Sequence, residues 1–154
     1  MAALEFISHR GNLYGPRPEE ENNPDYIKIA LSLLPVEIDC WKLEGKFYLG
    51  HDDPKFEVAR DFLLQRNLLL HAKNLEILHE FANTPTVEIF WHENDNFTIT
   101  SKQRIVYHSR HNLDNSKDFD SNVIFVKLDL TPTVITNASN VSILTDYPLG
   151  KLNK

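Results

Sequence analysis

The chain has a single cysteine, Cys40, and a single methionine in 154 residues. One cysteine excludes an intramolecular disulfide and any cysteine-based zinc cluster. No apolar run approaches the roughly 18 residues of a membrane span, and Lys and Arg form no block. With 16 Lys+Arg against 22 Asp+Glu, the formal net charge is −6, which argues against a nonspecific nucleic-acid binder. The N-terminus lacks a basic leader and carries Glu5 and Arg10 early, so no secretory signal is expected. The sequons at Asn96, Asn137 and Asn140 are accordingly read as chance. Internal repeats and low-complexity stretches are missing too. The 42% apolar and 25% charged residues describe a globular chain, long enough to bury roughly 70% of its unfolded surface. The expectation is one soluble, cytoplasmic domain spanning 1–154.

Punctuation by Gly, Pro and Asn divides the chain. Leu4 to Ser8 reads as a short strand, and residues 11–24 as a loop. Asn23 caps and Pro24 opens a helix whose apolar stripe is Ile27, Ala30, Leu31 and Leu34. Pro35 stops it, and Val36 to Trp41 follows as a strand. A turn at Glu44-Gly45 returns the chain along Lys46 to Leu49. Phe56 to Arg66 has helical periodicity, Leu68 to Lys73 reads as a strand, and Asn74 caps a short helix over Leu75 to Phe81. Thr86–Trp91, Arg104–His108, Asn122–Val126 and Val141–Thr145 complete the predicted strands. Strand and helix alternate in the first half, which implies parallel pairing with right-handed crossovers. A full eightfold barrel needs about 200 residues or more. The predicted fold is therefore α/β: an abbreviated (β/α) TIM-type barrel of mostly parallel strands, with several outer helices missing.

Four segments at predicted strand C-termini carry the chemistry: Ser8-His9-Arg10-Gly11, Glu37-Ile38-Asp39, Gly50-His51-Asp52 and His71-Ala72-Lys73. That end of a parallel sheet is where ligands bind. Glu37 and Asp39 sit at i and i+2, so both carboxylates leave one strand face. They either face water on a half-solvated strand or hold a divalent cation between them. His71 and Lys73 repeat the spacing; Lys73 needs an acid or an anion as partner, and a structural ion pair serves as well as a ligand site. His9 and His51 each adjoin a glycine-marked loop. Singly they read as polar surface; converging with Arg10 and two carboxylates they read as proton-transfer groups. Arg10 offers a bidentate donor suited to phosphate. His92 at a strand end is placed to line the same mouth, while His79, His108 and His111 read as surface.

Taken in order, HRGN at 9–12, EID at 37–39 and the run from Gly45 through Pro54 resemble the glycerophosphodiester phosphodiesterases, within the wider phosphatidylinositol-phospholipase-C-like group. The loop from Pro18 to Pro24 is similar to that family's Pro-Glu-Asn loop, and Ile143 to Pro148 to its last strand. The likeness is strong over 6–74, weak over 85–130, and returns at 141–148. It implies His9 and His51 as an acid–base pair, Arg10 and Lys73 as phosphate contacts, and Glu37 and Asp39 as metal ligands. The family's third carboxylate ligand falls where His71 stands. The implied cofactor is a divalent ion, Mg²⁺, Ca²⁺ or Mn²⁺. Because Mg²⁺ and Ca²⁺ prefer oxygen shells, an imidazole there shifts preference toward Mn²⁺, Fe²⁺ or Zn²⁺, or leaves the ion held weakly or not at all. The expected function is metal-assisted hydrolysis of a small phosphodiester by a phosphoric diester hydrolase. The alternative is a catalytically degenerate phosphate-binding or regulatory domain. A third reading is a homo-oligomer covering apolar outer strand faces such as Val87, Ile89 and Trp91.

Overall fold

Strands form wherever β-branched, leucine and aromatic residues alternate over a few positions, and most are buried on both faces. The structure is a computed structural model that describes residues 4–108, 122–129 and 141–152. Among them run β1 (Glu5–His9), α1 (Pro24–Leu31), β2 (Val36–Leu43), β3 (Lys46–Leu49), β4 (Phe56–Val58), α2 (Arg60–Leu63) and β5 (Leu68–Ala72). Then come α3 (Leu75–Phe81), β6 (Glu88–Trp91), β7 (Phe97–Ile99), β8 (Ile105–Tyr107), β9 (Val123–Val126) and β10 (Val141–Thr145).

All ten strands join one sheet, with the path β4-β3-β2-β1-β10-β9-β8-β7 and β5 and β6 branching from β2. β2 is the junction. Its first two residues pair parallel with β1, its last four pair antiparallel with β3, and β5 runs parallel along its other edge. β1, β10, β9 and β8 continue in parallel, and β7 closes the path antiparallel to β8.

This overturns the predicted abbreviated TIM-type barrel. The described residues are mostly β, 35% strand against 15% helix, in a curled mixed sheet shaped as a half-barrel. The helices among the described residues are only 8, 4 and 7 residues long. The reason is visible at residues 56–66, where a helix was expected. Phe56 and Val58 alternate against the core as β4, third strand of an antiparallel meander, and only Arg60–Leu63 turns helical. β7 is a further strand without a sequence expectation. Two helices do stand on their predicted caps: Asn23 accepts from Asp25 N at 3.0 Å, and Asn74 from Ile77 N at 3.2 Å. His111 and the sequons at Asn137 and Asn140 lie outside the described residues.

The sheet's two faces pack differently. Val36, Ile38, Cys40, Leu68, Leu70, Val87 and Ile89 form an outer core with Ile27 and Ala30 of α1 and Ile77 and Phe81 of α3. Val87 and Ile89 are thus covered by their own chain, which removes the reason for seating a partner there. On the inner face Ile7, Leu69, Phe90, Val106, Ile124 and Leu144 meet in one buried cluster. They come from six strands, β1, β5, β6, β8, β9 and β10, so the sheet must curl to bring them together.

Gly50 ends β3 at φ +149, where an added Cβ would collide with the Asp53 carbonyl oxygen. Its own carbonyl accepts from Trp41 Nε1 at 2.7 Å, fixing the turn that presents His51. Gly50→Ala should cost about 1–3 kcal/mol, the range of a forced backbone outlier. An unchanged urea midpoint would show that this turn is not strained.

Candidate active site

Two residues beyond the inner apolar cluster, the strands carry titratable side chains. Ile7 is followed by His9, Leu69 by His71, Phe90 by His92, Val106 by His108 and Leu144 by Asp146. The alternation of a strand keeps each on the same face as its apolar predecessor. Glu37 and Asp39 join them from β2, because Val36, Ile38 and Cys40 occupy the outer core. The polar layer therefore rests directly on the apolar plug.

The turn after β1 begins the site. Arg10 has φ 55 and Gly11 φ 93, both left-handed. A Cβ at Gly11 would stand 2.7 Å from Tyr26 Cδ1, so only glycine lets the loop close against α1. Arg10 N donates to Glu37 O at 2.9 Å and Asn22 N to Arg10 O at 3.1 Å, which holds the strained turn. Arg10 then lies between two carboxylates, with Nε 2.8 Å from Asp39 Oδ2 and Nη1 donating to Glu21 Oε2 at 3.1 Å.

Asp39 is fully buried. Asn22 clamps it at two points, donating Nδ2 to Oδ2 and accepting from its backbone N, each at 2.9 Å. Its Oδ1 faces His71 Nδ1 at 3.1 Å and Lys73 Nζ at 3.8 Å. Burial would raise the Asp39 pKa, but the His71 ring and the Arg10 guanidinium outweigh it and hold the carboxyl below its usual range. For His71, burial opposes the charge, yet Asp39 and Glu37 lift its pKa to about 9. Phe90 stacks on the His71 ring at 4.7 Å and fixes its plane.

These residues fit a divalent ion. Glu37, Asp39 and His71 each offer a ligand atom within 4.8 Å of the others. Among the described residues Glu37 Oε2 is a buried acceptor without a hydrogen bond, and Asp39 Oδ1 has only its ion-pair contacts with His71 and Lys73. A buried charged acceptor left unmade costs several times what an ordinary hydrogen bond contributes, so a cation at this point has a physical reason. His92, Asp95 and His108 form a second such group. Burial and the neighbouring His92 depress the His108 pKa to about 4.

Each of the two expected proton-transfer histidines is held by a carboxylate through Nδ1. His9 meets Asp146 Oδ1 at 2.7 Å and His51 meets Asp52 Oδ1 at 2.7 Å. A Nδ1–H···carboxylate bond leaves Nε2 as the working nitrogen. Their surroundings differ. His9 is buried under Asn12, which donates to the same Asp146 oxygen at 2.8 Å. His51 is exposed and lines a cavity of about 460 Å³ with His71, Lys73, Trp91 and His92. Lys73 and His71 thus face that cavity, whereas Arg10 is engaged by Asp39 and Glu21. His79 is exposed on α3, as expected, but His108 is half-buried and stacked on His92 rather than surface.

Asn12, Glu21, Asn22 and Asp146 were not assigned roles from sequence. Asp146 carried a usable signal, standing two residues past Leu144 on the inner face; the loop residues carried none beyond their place beside the HRGN motif. No protein-family model matches the chain, and no curated protein or solved structure matches it.

Burial alone would lower the His9 pKa; the Asp146 hydrogen bond and the Glu37 charge reverse this and raise it above 6.5. A raised folded pKa means the pair's stabilisation is fully present below pH 6.5 and fades as pH climbs through the folded value. Imidazole NMR titration should therefore show His9 titrating above 6.5, and Asp146→Asn should move it downward. An identical titration in the variant would show that Asp146 does not set the charge of His9.

Proposed function

We propose that the protein is a phosphodiesterase acting on a small phosphodiester of the glycerophosphodiester kind, the family its motifs resemble. The observation that carries this reading is the buried Glu37 Oε2, without a hydrogen-bond partner among the described residues, with ligand atoms of Asp39 and His71 within 4.8 Å. A divalent ion held by Glu37, Asp39 and His71 would supply Lewis-acid polarisation of a phosphoryl oxygen when bound. The rest belongs to the chain. Lys73, lining the cavity, compensates charge on the phosphoryl oxygens. Arg10 keeps Asp39 ionised from the side away from the cavity residues His71 and Lys73.

The proton roles follow from the two histidine environments. His51, exposed and steadied by Asp52, takes a proton from the attacking water as its oxygen bonds to phosphorus. His9, whose charged form Asp146 and Glu37 favour, gives its proton to the leaving alkoxide as that P–O bond breaks. The preference for a small substrate rests on the cavity volume of about 460 Å³.

One observation favours a second reading, a phosphate-binding domain without turnover. Asp39 already has Arg10, His71 and Lys73 as cationic neighbours, so an internal imidazolium can stand where a metal would. The two readings separate in one assay of the chelator-stripped chain, resupplied ion by ion, against a chromogenic phosphodiester. The phosphodiesterase reading predicts turnover restored by Mn²⁺ or Zn²⁺, and a loss of about 10² to 10⁴-fold in His51→Ala and in His9→Ala, the usual contribution of a general acid or base. His71→Glu should shift the preference toward Mg²⁺ or Ca²⁺. Saturable phosphate binding with no metal-dependent turnover would establish the binding domain instead.

A further inference from the structure

The inner face holds a second group of ligating side chains for which the phosphodiesterase reading has no use. His92 lies two residues past Phe90, Asp95 follows in the turn toward β7, and His108 lies two residues past Val106 at the end of β8. One ligand atom from each falls within 4.8 Å of the other two. His92 Nδ1 meets Asp95 Oδ1 at 3.0 Å. The His92 and His108 rings stack with centroids 3.3 Å apart and planes 11° apart. His108 Nε2 is buried and, among the described residues, has no hydrogen-bond partner. An orphaned buried nitrogen in a native fold calls for an explanation, and a second imidazole and a carboxylate offer ligand atoms within reach of one ion beside it.

We propose that His92, Asp95 and His108 form a second divalent-metal site, selective for ions of the Zn²⁺ class. The ligand types set the selectivity. Two imidazole nitrogens and one carboxylate suit a borderline-soft transition ion and suit Mg²⁺ or Ca²⁺ poorly. The site shares no ligand with Glu37, Asp39 and His71, although the His71 and His92 rings are only 6.1 Å apart. Three protein ligands leave a coordination position open, and His92 lines the same cavity as His51 and Lys73. An ion here ties the β6–β7 turn to the end of β8 and, through His92, borders that cavity.

The test is calorimetric titration of the full chain with Zn²⁺, together with the His108→Gln, His92→Asn and Asp39→Asn variants. Asp39→Asn disables the first group, so Zn²⁺ bound by that variant reports the second group alone and does not depend on catalysis. The expected result is one Zn²⁺ bound by Asp39→Asn, with a rise in its melting temperature. Adding His108→Gln or His92→Asn to that variant should weaken the affinity by about a hundredfold or more, since losing a ligand exceeds the 10–100-fold cost of losing an outer-shell partner. Either histidine variant suffices if the other fails to fold. No Zn²⁺ binding to a folded Asp39→Asn, equal affinity in a folded histidine variant, or Mg²⁺ bound as tightly as Zn²⁺ would each overturn the proposal. Should Asp39→Asn not fold, His108→Gln in the otherwise unchanged chain must lose one Zn²⁺ equivalent, and no such loss would overturn it equally.

Discussion

The buried charge of Asp39 is the constraint around which the site is arranged. Its carboxylate draws Arg10 from the turn after β1, Asn22 from the loop before α1, and His71 and Lys73 from β5. Three segments thus converge on one group carried by a fourth, β2. Removing one partner of a buried ion pair costs about 3–5 kcal/mol, because the remaining charge stays buried and uncompensated. The left-handed conformation at Arg10 makes sense on the same terms. A strained turn persists where its surroundings over-determine it, and here two backbone hydrogen bonds and the Asp39 contact hold it.

The inner face of the sheet reads as three levels. At the strand N-termini Arg104 binds Glu88 through Nε at 2.8 Å and Nη2 at 3.0 Å, with Glu5 and Ser142 beside it. Above that ion pair lies the apolar cluster around Ile7, Leu69 and Phe90, and above the cluster lies the ring of titratable groups. The apolar layer separates two charged layers and gives the upper one a dry floor. That floor strengthens every charge interaction at the site and makes its unpaired oxygens costly. The same one-residue alternation that fills the core therefore also aims the functional side chains.

Much of the site was legible because it is carried by short local patterns. Glu37-Ile38-Asp39 and His71-Ala72-Lys73 state their shared face by spacing alone, and Asn23 and Asn74 announce their helices by capping chemistry. The architecture was less legible. Phe56 and Val58 satisfy a helical stripe and a strand alternation equally well over three residues, and pairing with β3, a tertiary contact, decides for the strand. The antiparallel pairing of β7 with β8 was likewise not legible, because it too is settled by a tertiary contact. The stacking of His92 on His108 was invisible for a related reason. It depends on how β6 and β8 face each other across the curl, which no window of sequence contains. Asn22 escaped notice because its role lies in a side-chain clamp on a distant strand.

The account stands on Asp39 and Glu37 offering carboxylate oxygens to a cation at the floor of the site. Anomalous diffraction from crystals soaked in Mn²⁺ reads this directly. The predicted result is a peak at coordination distance from Glu37, Asp39 and His71, lost in Asp39→Asn. Featureless density there, in crystals whose other Mn²⁺ sites are fully occupied, would contradict it.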